Sequence, residues 1–172
     1  MVARSELILR WSVYGAAGLL TCLLQGLILQ RLSLWGVMPF LYPALAAMVA
    51  VREGALPAGA IYALALGAVC DLALPGAIPC FYSVAFPLAA MLSGLLTRSW
   101  LSSNFLSSLA ASALSFLVTG LLHAGVLAAM GHGAFGAAMA VTGKEFLVTL
   151  PLLPFLYLLL RFLHRKTHPY DD

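Results

Sequence analysis

Two ionisable side chains, Asp71 and His123, stand inside long apolar stretches of this sequence, where few other groups could do chemistry. On insertion scales an Asp at the centre of a bilayer costs about 2.5–3.5 kcal/mol, and it costs less near the end of a span. We interpret Asp71 in one of two ways: as an interfacial acid that touches water or headgroups, or as a buried acid that pairs with His123. Two such groups give weak support to a proton or substrate path, because transporters usually carry several.

Each of these residues ends a series of five residues spaced four apart, which we call a ladder. This spacing places the five residues on nearly the same face of a helix. The first ladder is made of small residues and ends in the carboxylate: Ala55, Gly59, Ala63, Gly67 and Asp71. The second ladder is small and polar: Ser107, Ala111, Ser115, Thr119 and His123. Small residues at this spacing let another helix approach closely. The ladders therefore predict helix-contact surfaces, either within one bundle or toward a partner protein.

The sequence carries none of the common catalytic motifs. A phosphate-binding loop is excluded, because Ala138 stands where its first Gly is required and Glu145 replaces its Ser or Thr. The patterns H-E-x-x-H and G-x-S-x-G are absent, and Cys22, Cys70 and Cys80 form no C-x-x-C pair. We expect a protein that is not an enzyme and that uses no cofactor or metal. The net charge of +3 does not suggest a nucleic-acid partner.

The composition is that of an integral membrane protein. Hydrophobic residues make up 63% of the 172 residues and charged residues 9%, and the mean hydropathy is +1.02. A soluble domain carries about 25% charged residues, so this chain has too few of them to cover a surface that faces water. Its apolar runs reach about 18 residues or more, the length that spans a bilayer. The first run is longer than a signal-peptide core and predicts a retained helix.

The apolar runs predict an all-α fold: a compact bundle of six transmembrane helices that forms a single domain over residues 1–172. The spans are expected at about 11–30, 34–51, 54–74, 80–97, 105–130 and 146–163. The Gly- and Ala-rich segment 131–145 is expected as a short helix along the membrane surface or as a re-entrant piece. Arg52 and Glu53 fall at the start of span three, where an acid suits the helix dipole. We expect a solvated helix start there, with a contact to a partner as the alternative.

The basic residues are distributed unevenly between the two sides of this six-span arrangement. One side carries seven of them: Arg4, Arg10, Arg52, Arg98, Arg161, Arg165 and Lys166. The other side carries two, Arg31 and Lys144. Because cytoplasmic loops are enriched in Lys and Arg, both termini are expected in the cytoplasm.

The stretch around the first ladder resembles the central signature of the bacterial rod-shape-determining MreD family. The residues that carry this resemblance are Glu53-Gly54, Gly59-Ala60, Gly67 and Asp71. It is firmest over residues 39–98, and elsewhere only the hydropathy agrees. The resemblance implies a six-span protein of the bacterial cytoplasmic membrane, with both termini cytoplasmic and no soluble domain.

The function that the resemblance implies is that of a non-enzymatic scaffold in the cell-wall elongation machinery, which maintains cell shape and supports peptidoglycan synthesis. The partners it implies are an MreC-like bitopic protein, a RodA-like glycosyltransferase and a class B penicillin-binding protein, within the lipid bilayer. The helix-contact or partner surface is expected to include Glu53, Gly59, Ala63, Gly67, Asp71, Ser115, Thr119 and His123.

Two other function classes remain open from the sequence. MreD-type proteins are similar in architecture to the substrate-binding subunits of ECF-type vitamin transporters, so such a subunit is the main alternative. It would need a polar and aromatic pocket at the outer side, where Phe81 and Tyr82 lie, but the short outer loops offer few polar groups to orient a ligand. A membrane-embedded enzyme is disfavoured by the scarcity of paired ionisable groups.

The orientation can be tested with a reporter that is active only in the cytoplasm, fused after Asp172. We expect full activity, because seven of the nine basic residues lie on the side that carries both termini. A matched fusion in segment 131–145 is expected to be inactive. Activity of a periplasmic reporter after Asp172 would exclude the six-span arrangement.

Overall fold

The computed structural model describes residues 4–74, 78–100, 104–131 and 135–167, and in this part of the chain the fold is all-α, without a β-sheet. Its helices are α1 (Arg4–Leu27), α2 (Tyr42–Glu53), α3 (Ala60–Ala73), α4 (Phe81–Trp100), α5 (Phe105–Ala129), α6 (Phe135–Thr149) and α7 (Leu153–Thr167). Four segments are long and apolar enough to cross a bilayer: Ile8–Arg31, Ala55–Ala73, Phe105–Ala129 and Phe135–Arg165. The expectation of an all-α, multi-pass membrane protein is confirmed to this extent.

Helix α2 is the centre of the fold. Nine consecutive residues, 42–50, are buried, and α2 packs against α3, α4, α5 and α7. A helix that is apolar on every side has no face to offer to water and is stable only inside a bundle. Helices α3, α4, α5 and α7 therefore surround α2, with α3, α4 and α5 in sequential contact around it, and α6 packs against α5.

Helix α2 is shorter than the sequence predicts, because it begins at Tyr42 and not at residue 34. Twelve residues span about 18 Å, against about 30 Å of hydrocarbon. Trp35 and Gly36 have positive φ angles of 55° and 76° and form a tight turn, closed by hydrogen bonds between Leu34 and Val37. Pro39 then keeps the preceding residue out of the helical region. The predicted start of span two was wrong for these reasons.

The non-helical backbone before α2 is held by side chains from other helices. The amide of Gln25 in α1 donates to the carbonyl of Pro39 at 2.6 Å and accepts from the N–H of Leu41 at 3.2 Å. The N–H of Phe40 donates to the hydroxyl of Thr149, at the end of α6, at 2.9 Å. Irregular backbone is tolerated at membrane depth only where protein groups satisfy it, and these two side chains satisfy three such groups.

The segment 131–145 is neither a separate surface helix nor a re-entrant piece where the structure describes it. Helix α6 covers Phe135–Thr149, packs against α5, and continues through a 3-10 turn at Leu150–Leu152 into α7. Pro151 and Pro154 interrupt regular α-helical hydrogen bonding at that turn. The predicted start of span six at residue 146 is therefore also wrong, and the rod from 135 to 167, about 50 Å long, exceeds the hydrocarbon thickness.

The first ladder of small residues is an internal contact. Its first four members are buried. A Cβ added at Gly67 would lie 2.7 Å from the carbonyl carbon of Tyr82 and 2.9 Å from the Cα of Ser83 in α4. At Gly59 it would lie 2.7 Å from the Cα of Ala50 in α2. The ladder therefore lets α3 approach the backbones of α4 and α2, and of the two interpretations left open it serves packing within the bundle.

We expect Gly67→Ala to destabilise the folded protein by about 1–3 kcal/mol, because the added methyl group overlaps the α4 backbone, which cannot yield as a side chain can. The matched control is Gly125→Ala in α5, where an added Cβ meets nothing within 4 Å; it is expected to be neutral or to stabilise by up to about 1 kcal/mol. The measurement is the free energy of unfolding in mixed micelles. Equal effects of the two substitutions would contradict the proposed packing.

Candidate functional site

Glu53 is the centre of a buried polar cluster that joins three helices. Its side chain is 0% exposed. The hydroxyl of Tyr14 donates to Oε1 of Glu53 at 2.5 Å, and Nδ1 of His164 lies 3.0 Å from the same oxygen. The guanidinium of Arg10 forms an ion pair with Oε2. We call these four residues from α1, α2 and α7 the Glu53 cluster.

The burial of Glu53 overturns the expectation of a solvated start of span three. Glu53 is the last residue of α2, and Gly54 follows with φ +93°, a conformation that favours glycine. The chain turns sharply there, with the N–H of Gly59 bonded to the carbonyl of Gly54 at 2.9 Å. The turn keeps the carboxylate inside, where α1 and α7 cover it.

The chemistry of the Glu53 cluster is that of a structural tie. An ionised carboxylate only accepts hydrogen bonds, so the Nδ1 of His164 donates to Glu53. The hydroxyl, the imidazole and the guanidinium thus all direct hydrogens at one buried anion, with the charged partner adding the strongest contribution. Arg52, next to the cluster, lies over the ring of Tyr157 in α7 at 4.8 Å and adds a cation–π contact between α2 and α7.

Asp71 lies at the opposite end of α3 and caps helix α4. Its carboxylate accepts from the N–H of Tyr82 at 2.9 Å, from the N–H of Ser83 at 2.8 Å and from the Ser83 hydroxyl at 2.6 Å. The first N–H groups of a helix have no partner within it, and a negative charge there also suits the helix dipole. Asp71 therefore performs the work of an N-cap residue for α4 from a different helix.

The hypothetical pair of Asp71 and His123 is wrong. Within the described part of the chain the Asp71 carboxylate contacts the first turn of α4, whereas the imidazole of His123 packs edge-on against Phe81 at a centroid distance of 5.5 Å. The interpretation of Asp71 as an interfacial acid comes closer, since the residue is only half-buried. The sequence did not suggest that the first turn of the next helix, α4, would supply the hydrogen-bond donors to Asp71.

The second ladder faces the centre of the bundle. Ser107, Ala111, Ser115 and Thr119 are buried. The hydroxyl of Ser115 donates to the carbonyl of Pro43 in α2 at 2.9 Å, and that of Thr119 donates to the carbonyl of Ser115 at 2.8 Å. The hydrogen bond from Ser115 crosses between α5 and the first turn of α2, so this ladder also makes a contact within the bundle.

A third polar feature was missed from the sequence because segment 131–145 was left outside the spans. Glu145 in α6 lines a cavity of about 90 Å³ together with His123 and Thr119 of the second ladder and with Thr142, one turn before it. The remaining lining residues come from α2, the segment before it, α4 and α5: Phe40, Pro43, Tyr82, Phe116 and Gly120. An acid in a run that is otherwise apolar was the signal that could have identified it.

The fold and two carboxylates define the class of this chain: an all-α, multi-pass membrane protein in which Glu53 and Asp71 tie helices together. Compared with known protein families, with curated proteins and with solved structures, the chain matches none of them.

The partners of Asp71 can be tested by two double-mutant cycles of unfolding free energy. We expect Asp71→Ala to cost about 0.5–2 kcal/mol, the typical value of a lost N-cap. The double variant Asp71→Ala with Ser83→Ala is expected to be less destabilised than the sum of the single effects, because both substitutions remove the same hydrogen bond, from the Ser83 hydroxyl to Asp71. With His123→Ala, the matched control cycle, the effects are expected to add within about 0.5 kcal/mol. Coupling to His123 but not to Ser83 would contradict this account.

Proposed function

We propose that the chain is an MreD-like scaffold of the bacterial cell-wall elongation complex. It is a non-enzymatic, six-span protein of the cytoplasmic membrane, with both termini in the cytoplasm, and it contributes to cell-shape maintenance and peptidoglycan synthesis. Its direct partner is an MreC-like bitopic protein, and a RodA-like glycosyltransferase and a class B penicillin-binding protein are further partners.

The observation that carries this proposal is that five of the six residues of the resemblance, all but Ala60, have a definite part in holding the fold. Glu53 ties α2 to α1 and α7. Gly54 and Gly59 form the turn between α2 and α3. Gly67 lets α3 reach α4, and Asp71 caps α4.

Such a set supports a scaffold, because the acids of the resemblance are engaged in helix-to-helix contacts. The carboxylate oxygens of Glu53 and Asp71 already accept hydrogen bonds or ion pairs from neighbouring helices. A rigid bundle with a constant shape is what a partner that binds in the membrane plane requires, since rigidity reduces the entropy lost on association.

The alternative, a vitamin-binding transporter subunit, has less support. Ligand pockets commonly measure about 300–1,000 Å³, and the cavity beside Glu145 measures about 90 Å³. The larger depression, about 560 Å³, is lined among the described residues by Leu158, Arg161, Phe162 and Arg165 of α7, away from the aromatic residues Phe81 and Tyr82 that the vitamin-binding alternative requires.

The experiment is affinity purification of the tagged chain from native membranes in mild detergent, followed by mass spectrometry. We expect an MreC-like bitopic protein to be strongly enriched over a control purification of an unrelated six-span protein with the same tag. Depletion of the chain is expected to turn rod-shaped cells round. Recovery of transporter ATPase subunits in its place, or of no bitopic partner even after cross-linking in cells, would overturn the proposal.

A further inference from the structure

The cavity beside Glu145 is enclosed by residues that also hold the fold together, such as Pro43 and Tyr82. It lies between α5, α6, the start of α4 and the start of α2, at the same end of the bundle as Asp71. Its volume of about 90 Å³ equals that of roughly three water molecules in the liquid. The cavity is therefore large enough for a small polar group and too small for a vitamin or a nucleotide.

The carboxylate of Glu145 lacks the kind of partner that the other two acids have. In the described chain, Glu53 has an ion pair and two hydrogen-bonding neighbours, and Asp71 has three hydrogen bonds. Glu145 is half-buried, and across the described residues its side chain makes neither a hydrogen bond nor an ion pair. Acids within membrane spans are normally paired, because an isolated charge is costly there.

The other fixed polar groups of the cavity are also acceptors. The hydroxyl of Thr119 donates its hydrogen to the carbonyl of Ser115, and that of Thr142 donates to the carbonyl of Ala138 at 3.1 Å. A hydroxyl that has donated its one hydrogen offers only lone pairs to a further partner. Together with the Glu145 carboxylate, the cavity contains three acceptor side chains, and only Tyr82 and His123 can add a donor.

Aromatic rings form much of the remaining wall. Phe40, Tyr82 and Phe116 line the cavity, and the ring centroids of Phe40 and Tyr82 lie 5.9 Å apart. Aromatic faces attract cations, most strongly where water is excluded. One carboxylate, two hydroxyl acceptors and aromatic walls favour an organic cation over an anion or a neutral sugar.

We propose that the Glu145 cavity binds a primary ammonium group, paired with Glu145 and hydrogen-bonded to Thr119 and Thr142. An ammonium has three N–H donors, and Glu145, Thr119 and Thr142 offer acceptors for them. The ammonium comes either from a small free amine or from a lysine side chain of a partner protein. The site does not depend on the scaffold proposal, because Glu145, Thr119 and Thr142 are not among the residues that carry the resemblance.

The test uses the purified full chain in detergent micelles, with methylammonium chloride as the probe and sodium chloride at the same ionic strength as the reference. We expect methylammonium to raise the unfolding midpoint with the logarithm of its concentration, by about 2–4 °C at several times its dissociation constant. Tetramethylammonium, which is larger and has no N–H, is expected to give no such rise.

Two cavity variants and one control variant identify the site. Glu145→Gln keeps the shape of the side chain and removes the charge, so it is expected to fold normally and to lose the methylammonium response. The matched control, Lys144→Gln, changes an exposed neighbour on the same helix and is expected to keep the response. A second cavity variant, Gly120→Ala, places a methyl group 2.6 Å from Cγ2 of Thr142 and is expected to weaken it.

The source of the ammonium is then decided with any complex that co-purifies with the chain. Release of the partner by methylammonium, and loss of the partner in Glu145→Gln, would show that a partner lysine occupies the cavity. Saturable binding of methylammonium without release of the partner would show that the ligand is a free amine. The proposal is overturned if methylammonium acts no differently from sodium, or if Glu145→Gln retains the full response.

Discussion

A carboxylate that is wholly buried in an apolar bundle requires compensating groups close by, and Glu53 imposes this requirement on the fold. Taking a carboxylate out of water without such groups costs several kcal/mol. Arg10 and Tyr14 of α1 and His164 of α7 supply them. Helix α1 also contacts α3, where the hydroxyl of Tyr62 donates to the carbonyl of Tyr14, and it contacts the segment before α2 through Gln25. The charge of Glu53 is the contact that ties α1 to both α2 and α7 at this end of the bundle.

The same requirement, that a polar group inside the bundle needs a partner close by, explains the contacts at the opposite end of the bundle. Asp71 supplies the acceptor that the start of α4 lacks, and Gln25 and Thr149 supply partners for the irregular backbone before α2. Glu53, Asp71, Gln25, Thr149 and Ser115 bond to backbone groups or side chains of other helices or of the segment before α2. They fix which helices are neighbours, whereas apolar contacts alone allow helices to slide, since lipid tails are as apolar as the helices themselves.

Much of the fold could be predicted from the sequence. The hydrophobic runs predicted an all-α membrane protein, and the spacing of Gly59, Ala63 and Gly67 predicted a close helix contact, which the structure assigns to α2 and α4. The predicted helix face does not extend to Ala55, because the backbone of Leu56 is not helical. Periodicity places residues on a face, but it does not say which partner that face meets. For this reason the ladder was found, while the capping role of Asp71 was not.

The errors have local physical causes. Helix α2 begins later than predicted because Trp35, Gly36 and Pro39 adopt or impose non-helical backbone conformations within an apolar run. Hydropathy carries no information on backbone conformation. The burial of Glu53 was missed because its partners lie 39 and 111 residues away in sequence. Glu145 was missed because the Gly-rich segment 131–145 was left outside the predicted spans, whereas the structure places it in α6, packed against α5.

The central claim is that the charge of Glu53 holds α1 in place, and a double-mutant cycle of unfolding free energy between Arg10→Met and Glu53→Gln tests it most directly. Each substitution removes one charge of the pair and leaves the other without its partner, so each is expected to destabilise the fold. The double variant leaves neither charge unpaired, and it is expected to be more stable than the sum of the single effects by at least about 1 kcal/mol. Effects that add within about 0.5 kcal/mol would show that the two groups do not interact and would contradict the claim.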